Sequence, residues 1–587
     1  MVRIKAIFSY RFNYLNLLIP ILIGVCAGLF GIAFLKAIHF FTELFLVDFA
    51  GYIPPYPLGE GGSLSYKFFM EHPYMIPIST AVGGLIVGIL VQLFSPESAG
   101  VGTDAAIKAF HEKKEIGIRT SIWKLITSAV TIGSGQVSGK EGPIALIGAG
   151  IGSFIGKIFH LPEKERKIAL AVGLGAGIGG VFKAPFAGAI ISSEVFYKKD
   201  FEIETLVPAF IASFVSFIIV ASVFGFSPLF YVELPQFTGF SFYDAVGYIT
   251  LGMTTAFIAR LMIYALDSIR SLFERLEVPF FVKPAIGGFF VGIIGMSVPV
   301  AIGTGYGWLQ LIMLGKLEYF PEWKIIISIF LVILAFAFTL GSGGSGGVFG
   351  PSLVIGGLTG ASVYFFLKNF LFFPESSTFN LTAFTVVGMV STFAAAAKAP
   401  LSTIILVAEI TGGYQLLIPA TIAVAVSHFL SGEKSIFKSQ VNTKLDSPVH
   451  YDEFKYMLLR KYLVKDVMKK EVYTTTPDTT VLYASKFMEQ YSISALPVID
   501  EENRVIGLVT STDIIKACGM NLTETKVRDI MKENPLCITQ DLTLFDTLSI
   551  FVENNIGVAP VVNNLEDKKI IGIISDYDIG KVLTGKV

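Results

Sequence analysis

The sequence predicts an α-helical polytopic membrane protein made of two related halves of broken, tilted helices, followed by a small α/β tail that is itself a tandem repeat. Three observations carry this. The chain stays apolar from about residue 15 to residue 430, a glycine-rich frame occurs twice within that stretch, and the composition turns charged and β-branched after residue 431. With 587 residues, 53% of them hydrophobic and 16% charged, and a mean hydropathy of +0.67, the chain is too apolar for a soluble multidomain enzyme. A net charge of -1 gives no electrostatic reason to expect nucleic acid as a partner. Cys26, Cys518 and Cys537 lie too far apart for metal-ligand spacing or a disulfide framework and read as packing residues.

The first apolar run, LNLLIPILIGVCAGLFGIAFL, is long enough to span a bilayer and is followed by no small-residue cleavage site, so it reads as a membrane helix rather than a signal peptide. Arg3, Lys5 and Arg11 precede it and predict a cytoplasmic N-terminus. Later apolar segments, at 77–95, 142–158, 168–180 and 185–197, are short or interrupted by glycine and proline. Broken helices persist at membrane depth only where the freed backbone groups are buried in protein or line a watery cavity, so a transport pathway is the expected use.

The repeat locates that pathway. GSGQVSGKEGPIALIGAGIG (133–152) aligns without gaps on GSGGSGGVFGPSLVIGGLTG (341–360), and AVGLGAGIGGVFKAPFAGAIISSEV (171–195) on VVGMVSTFAAAAKAPLSTIILVAEI (386–410). Corresponding glycine-interrupted segments in two halves point to a binding site between the repeats. Glycines ahead of an apolar helix leave backbone N–H groups unobstructed at the helix start, and such ends attract anions. The first frame offers Gly139, Lys140 and Gly142, the second Gly347, Val348 and Phe349. Only the first carries a charged pair, Lys140 and Glu141. A carboxylate beside anion-attracting helix ends can act as a tethered anion that fills the site until it is protonated or displaced, which makes Glu141 the candidate gate. The other reading is a glutamate paired permanently with Lys140.

GKEGP (139–143), GVFGP (347–351), PESAGVG (96–102), FKAPFAG (182–188) and the tandem tail together resemble the CLC family of chloride channels and anion/proton exchangers with C-terminal CBS domains. The resemblance covers nearly the whole chain. It implies a CLC-type inverted repeat over 1–437, with halves at about 15–226 and 240–437, a linker at 438–461, and CBS domains at 462–520 and 525–584. It also implies one pore per subunit, a homodimer joined through segments near 185–225 and 399–430, chloride as substrate, Glu141 as gate, and a multi-pass protein of the cell membrane (plasma or inner) with its CBS domains in the cytoplasm.

Three positions depart from the family pattern. A serine-bearing turn that helps to hold the central anion is matched by Gly100-Val101-Gly102-Thr103-Asp104, and valine cannot donate a hydrogen bond. Thr103 is expected to cap a helix there; the alternative is that, after a small shift, its hydroxyl replaces the missing one. A tyrosine near the start of the last membrane helix is matched by Phe437 in SGEKSIFKS. The inner acid of exchangers, used as a proton pathway with Glu141, falls at Val195, directly after Glu194, which reads as a buried structural residue matched by Glu409. These departures lean towards a channel. The alternatives are a chloride/proton antiporter and a transporter of fluoride or nitrate. A CBS-regulated divalent-cation channel would need carboxylate clusters, and the membrane region offers isolated acids; no nucleophile, metal or phosphate-loop constellation suggests an enzyme.

The tail repeats as VKDVM, SALPVID and GLVTSTDI (464–514) and again as VRDIM, GVAPVVN and GIISDYDI (527–579). Thr510 with Asp513, and Ser575 with Asp578, follow glycine-led strands. They resemble the ribose- and phosphate-binding ends of nucleotide-binding CBS pairs, which implies ATP, ADP or AMP as a ligand; the same spacing also makes a plain helix cap.

Overall fold

A computed structural model describes residues 14–60, 70–232, 239–371, 376 and 378–583. The basic residues Arg3, Lys5 and Arg11 lie outside the described residues. The chain divides into two compact units, residues 1–449 and 450–587.

The first unit is helical. Six helices among the described residues are long and apolar enough to cross a membrane, in the ranges Leu17–Asp48, Met75–Phe94, Ile203–Phe224, Phe242–Arg275, Glu322–Gly341 and Phe349–Leu371. Shorter apolar helices lie between them, among them Val282–Ser297, Leu381–Ala397 and Pro400–Thr411. Large apolar side chains such as Phe40, Ile203, Phe257 and Trp323 face outward, as they do where the surroundings are hydrocarbon rather than water.

The sequence repeat is a structural repeat. Helix Glu141–Ile158 packs on helix Glu163–Val181, and Phe349–Leu371 packs on Leu381–Ala397. Each pair meets at facing glycines, Gly148 with Gly173 and Gly356 with Gly388, where a Cβ on either residue would overlap the opposite backbone carbonyl. Small residues let the backbones approach this closely, and without a hydrophobic drive between helices in lipid that contact is what joins them. The Lys-Ala-Pro turns also match: Lys183 and Lys398 both take a left-handed backbone, with φ of 56° and 58°, and Pro185 and Pro400 open the next helices, where a missing N–H costs nothing.

The boundary of the first unit lies at 449 rather than at 437. Residues after 437 are not a free linker, because Ser439 N donates to Asp104 (2.8 Å), and the Gln440 side-chain amide donates to the carbonyls of Val195 (3.0 Å), Tyr197 (3.0 Å) and Ala397 (3.1 Å). Lys198 N donates to Val441 O at 2.9 Å. The rest of the expected linker begins the second unit as helix Tyr451–Lys461.

Among the described residues the second unit holds two three-stranded sheets. In one, Val505–Thr510 pairs antiparallel with both Ala495–Ile499 and Lys532–Glu533; in the other, Val558–Val562 pairs parallel with Ile538–Thr539 and antiparallel with Ile570–Ser575. The two repeats exchange their opening segments. Val464, from the first VKDVM segment, packs in the core of the second module with Ala559 and Ile574, while Val527, from VRDIM, packs in the core of the first with Val481 and Leu496. The two repeats therefore pack as a pair, each core closed by a segment from the other repeat.

Candidate functional site

The two glycine frames meet. Each turns on a glycine of positive φ, Gly135 at 98° and Gly343 at 100°. Gly139 N donates to Gly347 O (2.9 Å) and Gly347 N donates to Ser138 Oγ (2.9 Å). Helix Glu141–Ile158 therefore starts beside the start of helix Phe349–Leu371. Glu141 is the first residue of its helix and only 1% exposed. One carboxylate oxygen accepts the Gly350 amide (3.1 Å) and the other accepts the Tyr306 hydroxyl (2.5 Å). The carboxylate sits where a Cβ on Gly139 would lie. An anion-attracting helix end is thus occupied by the chain's own carboxylate.

Lys140 is not its partner. The Lys140 ammonium makes an ion pair with Glu60 and lies over the rings of Tyr306 (5.6 Å) and Phe182 (6.0 Å). Val348 and Phe349 are buried, and the Phe349 ring packs against Phe182 (5.0 Å) and Phe393 (4.1 Å).

Gly100 and Val101 form a two-residue parallel pairing with Ser345 and Gly346, which ties the turn before helix Gly102–His111 to the second frame. Val101 occupies the N-cap position with extended backbone and no capping side chain. Thr103 is already inside the helix, so the expected threonine cap is absent: the extended pairing ends at Val101 and the helix starts two residues earlier than a Thr103 cap requires. Beneath the turn, buried Lys124 donates to the carbonyls of Ser98 (2.9 Å) and Gly100 (2.8 Å), and Ser345 Oγ also donates to Ser98 O (2.8 Å). A cavity of about 550 Å³ reaches Gly100 and Val101 and is lined by Lys108, Arg270 and Lys283 among others. Phe437 is buried, but it lies in irregular chain after helix Leu417–Leu430 rather than at a helix start; Ile436 N pairs with Ala396 O at 2.8 Å and holds the segment against the preceding helices.

Glu194 and Glu409 form a reciprocal pair of caps. Glu194 accepts the amides of Leu401 (2.8 Å) and Ser402 (2.8 Å) and the Ser402 hydroxyl (2.7 Å) at the start of helix Pro400–Thr411. Glu409 accepts the amides of Phe186 (3.0 Å) and Ala187 (2.7 Å) at the start of helix Pro185–Glu194. Each half caps a helix of the other. Val195 is fully buried beside this cap.

In the tail, Asp513 accepts from Thr510 N (2.9 Å) and Thr510 Oγ1 (2.6 Å), and Asp578 from Ser575 N (3.1 Å) and Ser575 Oγ (2.6 Å). In each acid the capping bonds use one carboxylate oxygen.

Tyr306, Glu60 and Lys124 were not singled out by sequence pattern. Lys124 had a signal, as a lone lysine in the apolar run SIWKLITSAV, and Tyr306 follows the glycine-rich turn Gly303-Thr304-Gly305. Glu60 had none.

The family model described as "Voltage gated chloride channel" matches residues 83–432, and the CBS domain model matches 464–519 and 527–585. The chain belongs to this CLC family. Among curated relatives, the H(+)/Cl(-) exchange transporter ClcA of Cronobacter sakazakii is 29% identical over 432 residues, covering 71% of this chain and 87% of the relative. The voltage-gated ClC-type chloride channel ClcB of Salmonella typhimurium is 28% identical over 423 residues, covering 71% and 95%. A solved CLC-type fluoride/proton antiporter superposes with a TM-score of 0.62 at 20% identity, over 74% of this chain and 99% of that one, which shows a shared fold. This CLC protein is a multi-pass membrane protein for anion transport with a C-terminal pair of CBS domains.

Proposed function

We propose that the protein is a chloride channel whose gate is Glu141 and whose CBS pair regulates it. The observation that carries the reading is the carboxylate of Glu141 held by the Gly350 amide: a tethered anion occupies backbone donors that a free anion could use once Glu141 leaves. Gly139, Gly142, Gly347, Val348 and Phe349 contribute the surrounding backbone. Lys140 acts on the anion at a distance, since its charge is shared with Glu60.

Val195 supports a channel, because an apolar side chain cannot relay a proton, and the three hydrogen bonds to Glu194 commit that carboxylate to a cap. Val101 and Phe437 bring no hydroxyl to the central anion, so its binding there is weak and rests on the backbone amides of Val348 and Phe349. Proton-coupled exchange is the second reading, favoured by relatives named as exchangers. Simultaneous chloride and proton electrodes on proteoliposomes separate the two: chloride efflux without stoichiometric proton uptake is expected, and a fixed chloride-to-proton ratio overturns the channel.

The subunit pairs as a homodimer in the bilayer through faces where Phe186, Ile203, Val207, Leu401 and Ile418 project apolar surface, with the CBS pair in the cytoplasm of a plasma or inner membrane. The pair binds an adenine nucleotide through the free edges of Asp513 and Asp578, beside Thr510 and Ser575. Calorimetric titration of the full-length protein with ATP, ADP and AMP tests this; Asp578→Asn keeps the cap acceptor and is expected to weaken binding, whereas no heat at millimolar nucleotide leaves the tail a scaffold.

A further inference from the structure

Glu141 is not held by the backbone alone. Its shortest contact is the Tyr306 hydroxyl, at 2.5 Å, from a residue distant in sequence that belongs to neither glycine frame. Tyr306 is fully buried and opens helix Tyr306–Met313 directly after Gly305, whose φ of 71° sets the turn that aims the ring inward. Phe230 packs edge-on against that ring at 5.6 Å, and the Lys140 ammonium lies 5.6 Å from its centroid. The ring thus stands between two residues that are adjacent in sequence. Lys140 is drawn to Glu60, and Glu60 is placed by its neighbour: Gly59 O accepts the Lys183 ammonium at 2.6 Å, and Gly59 N donates to Leu229 O at 3.2 Å. The charged and titratable groups around the carboxylate are therefore Lys140 and Tyr306, with Glu60, His39 and Lys183 beyond Lys140.

We propose that Tyr306 is the latch of the gate: its hydroxyl holds the Glu141 carboxylate over the Gly350 amide, and anion passage requires that this bond break. The proposal rests on the reading of Glu141 as the gate. A hydroxyl donating to a carboxylate is among the stronger hydrogen bonds; protonation of the acid weakens it to a neutral bond, and withdrawal of the side chain breaks it. With the Lys140 charge shared with Glu60, Tyr306 and the backbone amides of Gly350 and Glu141 itself are the groups that bond the docked carboxylate directly. Tyr306 touches the gate and not the permeating ion, so it is a positioning residue.

Chloride efflux from proteoliposomes at pH 7.5 and pH 4.5 is compared for the unsubstituted protein, Tyr306→Phe, Glu141→Gln and the double variant. Tyr306→Phe removes one oxygen and leaves the ring in place. It is expected to raise efflux at neutral pH roughly tenfold, the effect of losing one charge-assisted hydrogen bond, and to shrink acid stimulation by the same factor. The double variant is expected to match Glu141→Gln, because without a carboxylate there is nothing to latch. Tyr306→Phe with wild-type efflux and acid stimulation overturns the latch, as does an equal effect of Tyr306→Phe in the Glu141→Gln background. Acid stimulation that survives in Glu141→Gln overturns the gate itself, and the two failures are thereby distinct. A native-protein measurement keeps the proposal open to refutation if Tyr306→Phe does not fold. Acid-induced infrared difference spectra are expected to show a tyrosine C–O band that disappears in Glu141→Gln, and its absence from the unsubstituted protein overturns the latch.

Discussion

The 133–152 and 341–360 frames follow the same backbone path and differ in what they present. Both turn on a glycine near φ 100°, both lead into a buried helix, and they are hydrogen bonded to each other. One presents Lys140 and Glu141, the other Val348 and Phe349. Glu194 and Glu409 show the opposite case, since an acid present in both halves caps a helix in both. Repetition marks scaffold at these two acids, and the charge that breaks the repetition is the one proposed to move.

The largest expected effect tests the scaffold side of that contrast. Glu194→Leu leaves two amides and a hydroxyl without their acceptor in a buried site, a loss of about 3 kcal/mol or more. A marked fall in thermal unfolding temperature, or no monodisperse protein, is expected, and Glu409→Leu should behave alike. A Glu194→Leu protein of normal stability that has lost only transport would break the comparison.

Glu141→Gln probes the other side. It keeps the shape of the side chain and removes its charge, so unfolding temperature should stay within about 2 °C of the unsubstituted protein while acid control of efflux disappears. A large destabilisation would make Glu141 scaffold as well.

A smaller effect is expected at the junction of Val101 with the second frame. Supplying hydroxyls with the Val101→Ser, Phe437→Tyr double variant should tighten chloride binding about tenfold by isothermal titration, one net hydrogen bond's worth. Unchanged affinity would show that the serine caps helix Gly102–His111 instead, the N-cap role that Val101 leaves unfilled.

The smallest effect lies in the loop at Glu115, away from both frames. Its hydrogen bond from Lys157, with the charges of Lys157 and Arg166 beside it, holds the Glu115 carboxyl below the usual carboxylate range. Because the folded value is depressed, the stabilisation is fully present above the unfolded value of about 4.3 and is lost as pH falls through the folded value. Exposure limits it to about 0.5 kcal/mol. Glu115→Gln should lower stability by no more than that at pH 7, and by progressively less as pH falls through the folded value, measured by thermal unfolding.

Local pattern carried the fold class a long way. The glycine frames and the Lys-Ala-Pro turns depend on backbone conformation within a few residues, so their repetition was readable before any contact was known. The charged stretch after 437 misled, because its lysines and serines look solvated; Gln440 and Ser439 in fact donate to carbonyls of Val195, Tyr197 and Ala397 and to the Asp104 carboxylate. In the tail, VKDVM and VRDIM announce two repeats but not that each packs on the other's sheet.

The sequence by itself determined that this is a membrane protein of two matched halves, that backbone amides gather at two glycine frames, and that Glu141 is the charge lacking a mate. Only the tertiary structure decided which groups that charge meets. Adjacency in the chain suggested Lys140, but the helix start points the two side chains apart; Lys140 reaches Glu60, and Glu141 reaches Tyr306 and Gly350. Hydrogen bonds and ion pairs act over a few ångströms, and in a fold of broken helices the residues brought that close are chosen by packing between segments far apart in sequence.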